Sequence, residues 1–94
     1  MFIVSLEYVV PIEEIEPHVS GHMQWLQKCY EEGIFLASGR KVPRTGGVIL
    51  ARGSRAALQE CLMQDPFAIH ELARYEITEF VASQTVPGLE GLKE

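Results

Sequence analysis

Apolar and polar residues alternate from the start of the chain. Phe2, Val4, Leu6, Tyr8 and Val10 fall on one side of a two-residue repeat. Ile3, Ser5, Glu7 and Val9 fall on the other. That period predicts a strand over residues 2–10. Residues 11–16 read as a connector, because Pro17 disfavours helix at Glu16 and is itself well placed as a first helical residue. The period then changes. Val19, Met23, Leu26 and Tyr30 recur at helical spacing and predict the core stripe of a helix that runs to about Glu32. Gly33 supplies its left-handed cap. His18, His22, Trp25 and Cys29 make a second strip beside that stripe, so His22 is expected at the edge of the core.

A second strand is predicted over residues 34–42 and a third over 48–52. The turn Pro43-Arg44-Thr45-Gly46-Gly47 joins them as a hairpin. Ser54 is a plausible N-cap for a second helix through about Gln64, with Ala57, Leu58, Cys61 and Leu62 apolar. Asp65-Pro66 ends it, and residues 67–72 read as a further turn. Tyr75, Ile77 and Val81 then alternate with Arg74, Glu76, Thr78 and Phe80 in a fourth strand. The order β-α-β-β-α-β is an α+β, ferredoxin-like arrangement, with both helices covering one face of a four-stranded antiparallel sheet. Residues 1–83 form the domain. Residues 84–94, with Pro87, Gly88 and Gly91, read as a tail suited to packing on a partner subunit.

The bare sheet face would mix Ile3, Val9 and Phe80 with Ser5, Glu7, Arg74 and Glu76. Such a face is too apolar to stay wet and too polar for an internal core. A face-to-face homodimer is the expected resolution, with a small-molecule chamber between the sheets and an Arg74–Glu76 ion pair at the interface.

Composition narrows the function classes. The chain has 94 residues, 47% hydrophobic and 22% charged, with a net charge of −5. That balance argues against nucleic acid or an anionic membrane as a partner. No apolar run approaches the roughly 18 residues of a membrane span, and no targeting signal is read at the start of the chain. Cys29 and Cys61 lack CxxC spacing and are expected as two reduced, buried thiols in a cytoplasmic protein. No phosphate loop, dinucleotide fingerprint or serine-hydrolase elbow is present, so no organic cofactor is expected.

The chemistry then rests on few side chains. His22 and Asp65 are the one His and carboxylate whose contexts both suggest fixed, partly buried positions. Such a pair can move protons near neutral pH, the carboxylate orienting the ring. The plainer alternative is that His22 packs at a helix edge while Asp65 caps the turn before Pro66. Ser38 is a candidate for holding a substrate oxygen. Arg40 and Arg44 are candidates for a carboxylate or phenolate. Trp25 serves as core, interface or pocket wall. His18 and His22, spaced i, i+4, would need Asp65 to complete a two-His, one-carboxylate metal set, and no further ligand motif accompanies them, so no metal is expected. His70, Arg52 and Arg55 read as solvated.

Several short segments together resemble the YCII-related family: His22 followed by Trp25-Leu26, Glu32-Gly33, a strand ending in Ser38-Gly39, Gly46-Gly47, Asp65-Pro66-Phe67 and Tyr75-Glu76-Ile77. The likeness runs from Met1 to about Phe80. It implies a dimeric α/β-barrel made of two ferredoxin-like subunits and a site whose paired His and Asp map onto His22 and Asp65. It also implies small-molecule chemistry. One member type removes chloride from a chlorinated hydroxyhydroquinone, and muconolactone isomerases share the broader architecture. The chain departs from the family pattern at Arg40, where many relatives have proline after the Ser-Gly, and this bears on the charge of the site's mouth.

Overall fold

The computed structural model describes residues 1–94 as four strands and four α-helical segments. The strands are β1 (Phe2–Tyr8), β2 (Phe35–Arg40), β3 (Gly46–Ala51) and β4 (Ala73–Glu79). The helices are α1 (Ile12–Ile15), α2 (Val19–Glu31), α3 (Arg55–Leu62) and α4 (Pro66–Ile69). The sheet order is β2-β3-β1-β4, and all three pairings are antiparallel. This is the expected ferredoxin-like α+β sheet, with β2 and β4 at its edges.

Alternation along β1 survives intact. Phe2, Val4 and Leu6 are buried on the helix-bearing face, and Ile3 and Glu7 are exposed on the other. Ser54 caps α3 as its sequence position suggests, its hydroxyl accepting from the Ala57 N–H at 3.1 Å. Gly33 has φ of 78°, the left-handed conformation that lets the chain leave α2.

Other expectations need correction. The connector before Pro17 is ordered into the single turn of α1, because Ile15 finds complete burial there. Pro17 lies inside a 3₁₀ turn, Glu16–His18, and α2 begins at Val19. The buried face of α2 is also turned from its predicted phase. Trp25 and Cys29 are the buried residues, Leu26 and Tyr30 are half-buried, and Met23 is 57% exposed. Two adjacent apolar strips competed for the core, and the one carrying the large indole removes more surface from water.

The cysteines are corrected as well. Cys29 of α2 and Cys61 of α3 are joined as a disulfide across 32 residues, and neither is free. Sequence spacing gave no hint of it, because packing of the two helices, not a short motif, brings the sulfurs together. Residues 84–94 fold back on their own chain. Arg52 donates to the Gly91 carbonyl at 3.1 Å, the Glu94 N–H to the Ala82 carbonyl at 3.0 Å, and the Met1 amino group pairs with the Glu94 side chain. Arg55 pairs with Glu79 at 3.4 Å, and within the chain Arg74 pairs with Glu7, its register partner across β4 and β1. On the open face Ile3, Val48 and Phe80 remain exposed. No helix is long and apolar enough to cross a membrane.

Candidate functional site

The site begins with a close approach. Gly21 lies in the second half-turn of α2, and a Cβ added there would stand 3.3 Å from Cγ of Pro66. Glycine lets α2 lean on the start of α4. The next residue, His22, is thereby set against the residues on either side of Pro66. Its ring stacks on Phe67 with centroids 4.1 Å apart and planes 5° from parallel. Its Nδ1 lies 2.8 Å from Oδ1 of Asp65. The sequence-predicted pair does meet.

Asp65 is fully buried. A lone buried carboxylate is costly, and this one is compensated by donors. Oδ1 also accepts from the Phe67 N–H at 3.0 Å, as the cap of α4, and Oδ2 accepts from the Tyr75 hydroxyl. Both roles weighed for Asp65, ring partner and turn cap, are therefore filled at once by one oxygen. Burial first, then the hydrogen bond and charge of Asp65, push the Tyr75 hydroxyl far above its ordinary range. Tyr75 thus keeps its proton and donates it. Asp65 can only accept here, so it draws the His22 Nδ1–H toward Oδ1 and leaves Nε2 as the nitrogen not bound to it.

His22 is 15% exposed, and that opening faces a cavity of about 450 Å³. Val19, Met23 and Leu26 of α2 form one wall, with Phe67 beside them. Leu6, Gly47 and Ile49 form the sheet wall, and Ser38, Arg40 and Arg44 line the far side. Register explains the grouping. Tyr75, Leu6, Gly47 and Arg40 are mutual partners across β4, β1, β3 and β2, so they make one row. Leu6 is buried toward the helices, which places the whole row on the helix-bearing face. Glycine at position 47 leaves the space above that row open. The cavity therefore lies between α2 and the sheet. The sequence had put the chamber over the open sheet face instead, and the phase of the Leu6 row is what moves it.

The remaining candidates separate cleanly. Ser38 lies in the cavity wall and shares a 2.6 Å hydrogen bond with the Tyr30 hydroxyl. Arg40 and Arg44 both line the cavity. Trp25, carried as a substrate contact, is not in the cavity wall. It is a core residue, its Nε1–H donating to the Cys61 carbonyl at 2.8 Å, with its ring 5.4 Å from His22 and 5.3 Å from Phe35. It backs the His22 ring. His18 stands against His70, ring centroids 4.2 Å apart, and not beside Asp65. No group of three or more His, Cys, Asp or Glu side chains converges anywhere in the chain.

Tyr75 and Gly21 were missed as site residues. For Tyr75 a signal existed: it shares the strand face of Ile77, the core-facing phase, yet carries a hydroxyl that must find a partner when buried. For Gly21 the signal was a glycine inside a helix next to the candidate histidine, which points to a packing reason.

A family model described as the YCII-related domain matches residues 1–81. No curated protein matches the chain. Among solved structures, a 5-chloro-2-hydroxyhydroquinone dehydrochlorinase from Burkholderia phenoliruptrix, in complex with 2,5-dihydroxybenzoquinone, is similar with a TM-score of 0.69. The match covers 85% of this chain and 93% of that one at 13% identity, a level that speaks to the shared fold.

Proposed function

Because the chain belongs to the YCII-related family, we propose that it is a small-molecule enzyme doing proton-transfer chemistry without an organic cofactor. His22 takes a proton from the substrate through Nε2. Asp65 holds Nδ1–H and supports the imidazolium that forms. The reaction class is elimination, isomerisation or a dehydrochlorination like that of the structural neighbour, on a small cyclic substrate. Ser38 and Arg40 contact the substrate's polar groups. The observation that carries this reading is the 2.8 Å bond from His22 to a fully buried Asp65, with the other side of the ring turned to a cavity. A positioned base of this kind contributes about 10²–10⁴-fold in rate.

The working unit in this proposal is a homodimer formed through the open sheet face, supported by the exposed Ile3, Val9, Val48 and Phe80 on that surface. Light scattering checks it: a stable monomer at micromolar concentration overturns it. A cytoplasmic setting was expected from reduced cysteines. The Cys29–Cys61 bond removes that support, so the proposal carries no compartment.

A second reading is favoured by a separate observation. Asp65 accepts from the Phe67 amide and Tyr75 as well as from His22, which is what a purely structural carboxylate would do. On that reading the chain is a non-catalytic ligand-binding or accessory dimer. Turnover of hydroxylated and chlorinated aromatics and small lactones separates the two. Loss of turnover by about 10²-fold or more in His22→Ala supports the enzyme. No turnover in either protein supports the binding module, and equal turnover in both removes His22 as the base.

A further inference from the structure

The chain has five arginines. Arg52 donates to the Gly91 carbonyl, Arg55 pairs with Glu79, and Arg74 pairs with Glu7. Arg40 and Arg44 alone have no hydrogen-bond or ion-pair partner in the protein, and both line the cavity that His22 faces. They come from different places, Arg40 from the last residue of the edge strand β2 and Arg44 from the β2–β3 turn. No Asp or Glu is among the cavity's 15 lining residues. On a chain of net charge −5, two unpaired guanidinium groups beside an acid-free cavity form a local reversal of sign. The opposite walls are apolar: Leu6, Met23, Leu26, Ile49 and Phe67.

We infer that this cavity selects small cyclic carboxylates, the ring lying against the apolar walls and the carboxylate held between Arg40 and Arg44. A guanidinium fork matches a carboxylate in shape, and a fixed charge pairs with it more strongly than with a neutral isostere. About 450 Å³ suits a single ring with its substituents. With the anionic end at the arginines, the ring carbons fall between them and His22. The inference deepens the proton-transfer reading by naming its substrate class, and it also stands without catalysis, because it concerns binding alone.

The test uses benzoate and benzamide, nearly equal in shape and different in charge. Titration is followed by the backbone amide shifts of Gly39, Gly46 and Gly47. In wild-type protein benzoate should perturb these amides at least about tenfold more tightly than benzamide. Arg40→Gln and Arg44→Gln should each weaken benzoate several-fold and leave benzamide unchanged, while Arg55→Gln, outside the cavity, should change neither. Benzoate and benzamide binding equally, benzoate failing to bind at millimolar concentration, or benzoate indifferent to both substitutions would each overturn the inference. Benzoate binding that persists in His22→Ala, with no turnover of any cyclic acid by wild type, would sink the enzyme reading and leave this one standing.

Discussion

Two ends of one row across the sheet follow opposite rules. At the β4 end Tyr75 is committed: its hydroxyl is bound to Asp65, which in turn is bound to His22 and to the Phe67 amide. At the β2 end Arg40, with Arg44 beside it, is committed to nothing in the protein. Between them Leu6 and Gly47 make a floor that links the two ends through backbone pairing alone. The difference separates two tasks. A group that must move a proton has to be held in one orientation, so its partners are buried and fully used. A group that must meet an incoming charge has to keep its donors free. Stability is thus invested at one end of the row and recognition at the other.

The contrast is sharpest under substitution. Asp65→Ala should have the largest effect, because it strands the buried Phe67 amide and the part-buried His22 and Tyr75 donors at once. The expected loss is about 3 kcal/mol or more of folding stability, read from urea unfolding. A loss under about 1 kcal/mol would mean that water replaces the carboxylate and that this end is not the rigid one. Tyr75→Phe should cost less, about 1.5 kcal/mol, since Asp65 keeps two of its three donors.

Tyr75 also gives a pH signature. Its proton is held more tightly in the folded chain than in the unfolded one. The stability it contributes is therefore complete below about pH 10, where unfolded tyrosine is still protonated, and is lost as pH rises beyond that. Tyr75→Phe should flatten this alkaline decline, and an unchanged slope would remove Tyr75 as its cause. Gly21→Ala should be smaller still in stability, within about 1 kcal/mol, because better helix propensity offsets a tight contact with Pro66. It should nevertheless push α2 away from α4 and lower turnover, with unfolding and kinetics measured on the same sample. Arg40→Gln and Arg44→Gln should be smallest, within about 0.5 kcal/mol of wild type, as exposed residues without partners usually are. A large destabilisation there would show that the arginines serve the fold and would erase the contrast.

How much of this was legible beforehand depends on what each residue's placement requires. Strand alternation, the Ser54 cap and the Gly33 stop are local rules, and each could be read from a few neighbouring residues. The meeting of His22 and Asp65 was reachable through helix phase and family likeness. The exact face of α2 was not, because Val19-Met23-Leu26-Tyr30 and His22-Trp25-Cys29 are both continuous strips and only packing chooses between them. The side of the sheet that holds the cavity was misread for a related reason: it follows from which row contains Leu6, Gly47 and Arg40, and register is a property of paired strands. Tyr75 and Gly21 stayed hidden because each matters only through a residue distant in sequence. The Cys29–Cys61 bond lay beyond reach for the same cause, spanning two helices with no motif to mark it.

One oxygen of Asp65 is shared by the His22 ring and the Phe67 amide. The main chain at Phe67 is therefore wired to the site as a built-in gauge. Hydrogen exchange at that single amide follows the breaking of its own bond to the oxygen that also holds the ring. Its protection can be followed in the resting protein, before any substrate is known, and should rise when a ligand tightens the cavity and fall when the histidine is removed.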